Sequence, residues 1–339
     1  MTRTPLATSI HNSATDLASY LRTAQKVLIF TGAGISTGSG IPDFRGPQGV
    51  WTRRKPVYYQ DFMASEAARI EHWDYKLEGW DAFRGAQPNA VHRALVRFEE
   101  AGKLLLVVTQ NIDGLHGLAG TSPDRLVELH GTNSLVECQS CRWRGDPEPH
   151  FESFRLNRKP PLCRCGGFLK QATISFGQSL DATELERARR GGLEADLVVA
   201  LGSTLSVYPA ASFPLLAAHR GVPYIIVNQG ATEHDDEPCV SLRIEGEVSE
   251  ILRDLNETAS ASTLRALQTL LHPNLLGMTF QFLALVKGVD RAAGLSGFRF
   301  ARDARAALGP GAAVEGITSP ASPRQRAAND CDVNQAFQS

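Results

Sequence analysis

Short apolar runs recur along the chain, and glycine or polar side chains follow each of them. Four runs have the length and continuity of strands buried on both faces of a parallel sheet, at 27–30, 104–108, 197–201 and 224–227. Segments with helical spacing accompany them, at 15–23, 90–101, 182–191 and 210–219. This alternation predicts an α/β fold, a Rossmann-like parallel sheet with helices on both faces. Ligands bind beyond the carboxyl ends of such strands, so the residues after each run are the functional candidates.

Two segments interrupt the alternation. Residues 44–87 are rich in aromatic side chains, and residues 135–170 hold a cluster of cysteines. We predict that both are insertions forming a small lobe on a catalytic domain that spans residues 10–255. Residues 256–339 are predicted to be a C-terminal extension, helical in part and then disordered, since Gly, Ala, Pro, Ser and Gln dominate its end.

The composition is that of a globular protein with no strong net charge. Of 339 residues, 42% are hydrophobic and 21% charged, with 35 Lys and Arg against 36 Asp and Glu. This balance gives no field that would attract nucleic acid or an anionic membrane. No apolar run approaches the ~20 residues of a membrane span, and the polar N-terminus does not resemble a secretory signal. A cytoplasmic location is therefore expected.

Four of the six cysteines lie close together, and in a reducing compartment such clusters indicate metal rather than disulfides. Four thiolates suit a closed, structural zinc site. An iron–sulfur cluster uses the same ligands, and scattered reduced thiols are the other alternative. Because the small lobe shows little apolar character of its own, the metal is expected to hold it together. The proposed ligands are Cys138, Cys141, Cys163 and Cys165.

Glycines follow the first predicted strand in residues 32–36, Gly-Ala-Gly-Ile-Ser. A glycine-rich turn lets backbone N–H groups approach a pyrophosphate, but Gly-x-Gly alone is weak evidence for nucleotide binding. No acidic residue ends a second strand about 20 residues further on, where a dehydrogenase binds its ribose. Ordinary hydride transfer is therefore disfavoured.

Longer motifs carry a family resemblance. Residues 40–51 read Gly-Ile-Pro-Asp-Phe-Arg-Gly-Pro-Gln-Gly-Val-Trp, residues 109–116 read Thr-Gln-Asn-Ile-Asp-Gly-Leu-His, and residues 129–131 read Leu-His-Gly. Together with residues 32–36 they resemble the sirtuins, in the branch with a Gly-Pro-x-Gly-Val-Trp cofactor loop. The resemblance covers about residues 10–255. The second cysteine pair is one residue closer than is usual in that family.

The resemblance implies that NAD is a consumed co-substrate and that zinc is structural. It assigns His130 as the catalytic base, a role that suits an imidazole with an unperturbed pKa near ~6.5. Asn111 and Gln110 would hold the nicotinamide ribose and an ordered water, and Asp113 the carboxamide. Ser203 and Thr204 replace the usual Thr-Ser, but both hydroxyls can still bond NAD oxygens. The other implied NAD contacts are Gly32, Ala33, Gly34, Ser36, Asp43, Phe44, Arg45, Trp51, Gly202, Asn228 and Val248.

Residues 172–178 resemble the stretch that lines the acyl-lysine tunnel of sirtuins and pairs with a peptide as an added strand. Ile174 and Phe176 would be tunnel walls, next to Gly177. Family members that act on acidic acyl groups carry Tyr-x-x-Arg in the small lobe. This chain has Tyr75 followed by Glu78 in the Arg position, which predicts acetyl or longer apolar acyl groups over succinyl.

The predicted function is an NAD-dependent protein lysine deacetylase or deacylase. It would transfer the acyl group from lysine to ADP-ribose and release nicotinamide, with an acyl-lysine protein or peptide as its partner. A protein mono-ADP-ribosyltransferase using the same NAD site is the alternative. A third hypothesis, a non-enzymatic NAD sensor or zinc scaffold, is disfavoured by the presence of Asn111, Asp113 and His130 together.

Overall fold

The structure is a computed structural model and describes residues 10–43, 49 and 54–253. The α-helices are α1 (Ile10–Thr23), α2 (Tyr59–Ala64), α3 (Glu66–Gly85), α4 (Ala90–Glu100), α5 (Leu115–Ala119), α6 (Glu148–Asn157), α7 (Ala182–Glu194) and α8 (Ser212–Ala218). The strands are β1 (Val27–Thr31), β2 (Leu104–Thr109), β3 (Leu126–Glu128), β4 (Gly131–Cys138), β5 (Arg144–Gly145), β6 (Leu169–Thr173), β7 (Leu197–Leu201), β8 (Tyr224–Asn228) and β9 (Val240–Glu245).

The large sheet has six parallel strands in the order β3-β2-β1-β7-β8-β9, which confirms the predicted fold class. The chain builds outward from β1 in one direction and then returns to build outward from β7 in the other. The strand order therefore reverses between β1 and β7, and such a switch point opens a crevice for ligands. The loops after these two strands form the walls of that crevice.

Alternating side chains of the central strands pack on opposite faces of the sheet. Val27 and Ile29 of β1 join one apolar cluster with residues of α1 and α4. Leu28 and Phe30 join a second cluster with residues of α7 and α8. All five residues of β1 are buried because helices cover both faces. This double burial explains why the strand reads as a continuous apolar run.

The two outer strands were not predicted from the sequence. β3 is only three residues long. β9 alternates apolar and polar side chains and is only partly buried, because an edge strand has a neighbour on one side only. Neither gives the continuous apolar run that marked the central strands.

The small lobe has an apolar core of its own, contrary to expectation. Its antiparallel sheet, β5-β4-β6, packs with α3 and α6 around Trp73, Trp80, Phe151 and Phe154. The rings of Trp80 and Phe151 are stacked, with centroids 4.5 Å apart, and the indole N–H of Trp73 donates to the carbonyl of Leu169 at 3.1 Å. Aromatic packing therefore stabilises this lobe together with the metal site.

The described residues contain no helix that is both long and apolar enough to cross a membrane. α1 begins five residues before the predicted helix start at residue 15. The predicted extension, residues 256–339, lies outside the described residues, so the domain limits stay a prediction.

Candidate active site and zinc centre

A cavity of about 590 Å³ opens where the carboxyl ends of the central strands meet the small lobe. Its walls include the glycine-rich loop after β1, the ends of β2 and β8, and the segment after β6. The predicted site residues that line it are Gly32, Ala33, Gly34, Asp43, Gln110, Asn111, His130, Ile174, Phe176, Gly177, Gly202, Ser203, Thr204, Asn228 and Val248.

The loops after β1 and β7 touch through glycine backbone. The N–H of Gly34 donates to the carbonyl of Gly202 at 2.9 Å. A Cβ on Gly34 would lie 2.9 Å from the Gly202 Cα, and a Cβ on Gly202 would lie 2.7 Å from the backbone nitrogen of Ile35. Only glycines allow this approach, which leaves a narrow crevice lined by backbone at the switch point.

Three polar side chains brace the glycine loop. The Ser36 hydroxyl donates to a carboxylate oxygen of Asp113 at 2.7 Å. Asn111, only 5% exposed, donates from Nδ2 to the carbonyl of Gly32 at 3.1 Å and to the Ser36 Oγ at 3.2 Å. Asn111 lines the cavity, whereas Ser36 and Asp113 are not among its lining residues. Ser36 and Asp113 thus support the loop, and their contacts with NAD stay a prediction.

The ends of β2 and β7 are joined across β1 by one hydrogen bond. Gln110 Nε2 donates to the Ser203 Oγ at 2.8 Å, and the same oxygen accepts the N–H of Leu205 at 3.1 Å. At the end of β8, Asn228 turns its Nδ2 toward the carbonyl of Gly230 at 2.9 Å. Amide and hydroxyl groups thus meet at one rim of the cavity, where they can bind sugar hydroxyls.

His130 lies between β3 and β4 and lines the cavity. Its Nδ1 lies 3.0 Å from the carbonyl oxygen of Gln110, which can only accept, so Nδ1 donates this hydrogen bond. The carbonyl of His130 accepts the N–H of Ile174 at 2.8 Å. The ring is thus oriented to accept a proton on Nε2.

The backbone conformation and close packing at position 131 explain why a glycine follows His130. Its φ is +70°, in the left-handed region, and a Cβ there would lie 2.1 Å from the carbonyl oxygen of Ala172 on the neighbouring strand. The close pairing of β4 with β6 at Thr173 therefore depends on a residue without a side chain.

Ile174 and Phe176 form the wall of the cavity on the small-lobe side. The carbonyl of Phe176 accepts the N–H of Tyr59 at 2.9 Å, and the carbonyl of Gly177 accepts from Gln60 Nε2 at 3.0 Å. Both carbonyls are paired within the chain, so an added peptide strand would use other backbone groups of this segment.

Helix α3 also contributes side chains to the cavity, and of these only Tyr75 was indicated by a sequence motif. Tyr75 and Lys76 line the cavity, with Arg54 from the segment before α2. Burial raises the pKa of Tyr75 to about 12 and lowers that of Lys76 to about 8. Glu78 is exposed, lies outside the cavity wall and pairs with Arg54. The acyl preference inferred from Glu78 therefore stays a prediction, because this carboxylate pairs with Arg54 and does not line the cavity.

The four predicted zinc ligands converge at the end of β4. Their sulfur atoms all lie within 4.8 Å of one another, with Cys138 to Cys165 at 3.5 Å and Cys141 to Cys163 at 3.7 Å. Zinc–sulfur bonds of about 2.3 Å place the corners of a tetrahedron roughly 3.8 Å apart. The two printed pairs lie close to this distance, so the cluster fits a closed Zn²⁺ site, and the short Cys163–Cys165 spacing does not prevent it.

Phe44, Arg45 and Trp51, which were predicted to contact NAD, lie outside the described residues. Asp43, the last described residue before them, lines the cavity.

Comparisons with known proteins show the family of this chain. The family model described as Sir2 family matches residues 32–209, more than half of the chain. A relative from Bradyrhizobium diazoefficiens, named NAD-dependent protein deacetylase 1, is 38% identical over 231 residues, covering 68% of this chain and 91% of the relative. One from Rhodopseudomonas palustris, named NAD-dependent protein deacetylase, is 39% identical over 232 residues, covering 68% and 92%.

Two solved structures are also similar. One, titled as Sir2 with a p53 peptide and NAD+, has a TM-score of 0.65 at 33% identity and covers 73% of this chain and 98% of its own. Another, titled as Sir2Tm bound to a propionylated peptide, has a TM-score of 0.65 at 32% identity with the same coverage. The chain therefore belongs to the Sir2 family, the sirtuins.

Proposed function

We propose that this protein is an NAD-dependent protein lysine deacetylase in which His130 is the catalytic base. The observation that carries the proposal is the position of His130 in the cavity wall, with Nδ1 donating to the Gln110 carbonyl, which makes Nε2 the ring nitrogen that can accept a proton. The names of the relatives support the reaction.

The cavity fits an extended dinucleotide. Glycine backbone at the switch point suits a pyrophosphate, while Gln110, Ser203 and Asn228 offer polar groups for the two riboses. NAD would supply the ADP-ribosyl group that accepts the acyl group, nicotinamide would leave as its bond to the ribose breaks, and water would complete the release of the free lysine amine. Asn111 holds the glycine loop in place, and His130 removes a proton from a ribose hydroxyl.

The acyl-lysine enters beside Ile174 and Phe176, whose side chains, with Val57 and Ile112, make part of the wall apolar. We propose acetyl and other short uncharged acyl groups as substrates on the basis of these walls. A similar structure holds a propionylated peptide, which supports the acceptance of slightly longer chains.

The four-cysteine cluster is proposed to hold structural zinc, because four protein ligands leave no position open for a reactant. Reduced thiolates at this site fit a cytoplasmic location, which we propose on that ground.

His130→Ala tests the base assignment. Release of nicotinamide and of deacetylated peptide is measured with NAD and an acetyl-lysine peptide, and kcat is expected to fall by about 10²–10⁴-fold. His150→Ala is the matched control because His150 lies on α6, outside the cavity wall. Near-normal turnover by His130→Ala with an unchanged melting temperature would refute the role.

A peptide panel tests the acyl group, with acetyl-, propionyl- and succinyl-lysine in one sequence. We expect acetyl and propionyl to be removed faster, and mass spectrometry identifies the products. Faster removal of succinyl would refute the preference, and addition of ADP-ribose to a protein without loss of its acyl group would refute the deacylase assignment.

A further inference from the structure

His219, Glu237 and Cys239 form a second cluster of potential metal ligands on the large lobe. One ligand atom from each side chain lies within 4.8 Å of the other two. None of the three lines the catalytic cavity, and none belongs to the four-cysteine cluster. We propose that they form a second metal site, for a divalent transition metal such as Zn²⁺.

Backbone hydrogen bonds fix both segments that supply the ligands. His219 directly follows α8, and its N–H donates to the carbonyl of Leu215 at 2.9 Å. Glu237 lies in the turn before β9, where its N–H donates to the carbonyl of His234 at 3.1 Å and its carbonyl accepts the N–H of Val240 at 3.0 Å.

The large sheet brings these two segments together. Tyr224, at the start of β8, pairs with Val240, at the start of β9. The end of α8 and the turn before β9 therefore meet at the same end of adjacent strands. The ligands are held close by the fold, so binding orders only the side chains.

The donor set favours zinc-like metals. A thiolate and an imidazole select Zn²⁺ and similar ions, whereas Mg²⁺ and Ca²⁺ prefer oxygen ligands alone. In a tetrahedral site with these donors the ligand atoms lie roughly 3.3–3.8 Å apart. Small side-chain rotations can shorten the distances between the ligand atoms to these values. Such rotations are possible because His219 is exposed and the other two residues are half-buried. Three protein ligands leave a fourth position for water.

The turn that carries Glu237 also contacts the wall of the catalytic cavity. His234 Nε2 lies 3.2 Å from the Tyr208 hydroxyl, and the N–H of Glu233 donates to the carbonyl of Thr204 at 3.0 Å. Tyr208 and Thr204 both line the cavity. Metal bound at the turn would restrain this wall, so it should change the KM for NAD more than kcat. That consequence rests on the proposed function, whereas the metal site does not.

Metal stoichiometry tests the site. The full-length protein with its first zinc in place is titrated with Co²⁺, and the thiolate charge-transfer absorption and bound metal per chain are measured. We expect one further equivalent that excess Zn²⁺ displaces. Cys239→Ser and His219→Ala should lose this equivalent and keep the first zinc and the melting temperature of the unmodified protein.

Cys331→Ser is the matched control, since it removes the other cysteine outside the four-cysteine cluster, and it should keep the second equivalent. A single equivalent at saturating metal, or a second one that persists in both ligand variants, would overturn the site. Loss of the second equivalent in Cys331→Ser would do the same. An unchanged KM for NAD in the doubly loaded enzyme would overturn only the link to the cavity.

Discussion

Replacing Gly131 with alanine tests whether the strand pairing behind His130 sets the geometry of the active site. The left-handed φ of +70° costs a side-chain-bearing residue roughly 1–2 kcal/mol. The new Cβ would also lie 2.1 Å from the Ala172 carbonyl oxygen, and overpacking of this kind costs about 1–3 kcal/mol. We therefore expect the free energy of unfolding to fall by about 2–5 kcal/mol.

Gly102→Ala separates the two costs. Gly102 has nearly the same φ, +69°, but a Cβ there meets nothing within 4 Å. This variant should lose only about 1–2 kcal/mol, the cost of the left-handed backbone. Urea unfolding of both variants measures the difference. Equal losses would show that β4 and β6 can move apart freely, which would refute the reasoning.

The activity of the two variants should also diverge. Separation of β4 from β6 would shift His130, and a misplacement of about 1 Å can lower the rate by about 10²-fold. We expect kcat/KM for nicotinamide release to fall by that order in Gly131→Ala and to stay unchanged in Gly102→Ala.

Three further predictions concern the small lobe and the buried histidines. Trp73→Ala should lower the free energy of unfolding by about 3–5 kcal/mol in a urea titration, because the indole is fully buried among aromatic rings. Removal of zinc by a chelator should abolish the metal content of the protein but keep the near-ultraviolet circular dichroism signal of the packed tryptophans. Complete loss of that signal would show that the metal alone holds the lobe together. Burial, and then the neighbouring His92, lowers the pKa of His116 to about 3, so only the unfolded chain is protonated between about pH 3 and its usual 6.5. Stability should therefore be full above pH 6.5 and decline as the pH falls toward 3, and His116→Gln should reduce that decline in thermal unfolding.

The central strands could be predicted from the sequence because helices bury them on both faces. The predicted run 197–201 coincides with β7 for that reason. The core of the small lobe could not be predicted, because each segment that contributes to it supplies only a few of the buried residues. Trp73 and Trp80 lie on α3, and Phe151 and Phe154 on α6. Each segment has a few aromatic residues among polar ones, and only the tertiary fold brings them together.

The candidate site was predictable where its residues follow strands, since parallel strands bring their carboxyl ends to one edge. Sequence spacing could not show that Glu78 pairs with Arg54, because spacing indicates which residues share a helix face and not which distant side chain contacts them. Arg54 comes from a segment 24 positions earlier, and no local pattern links the two. Lys76 shows the same limit, since only the packing of α3 decides which of its faces meets the cavity.

The contact between Gly34 and Gly202 explains why Gly-x-Gly was weak evidence by itself. A Cβ on either residue would clash with the backbone of the opposite loop, so protein packing alone requires both glycines. A nucleotide is not needed to account for them. Evidence for the dinucleotide comes instead from where this contact occurs: at the switch point between β1 and β7, with Gln110 and Ser203 bonded beside it. A glycine pair with the same spacing elsewhere in the sheet would pack as closely without forming a ligand crevice.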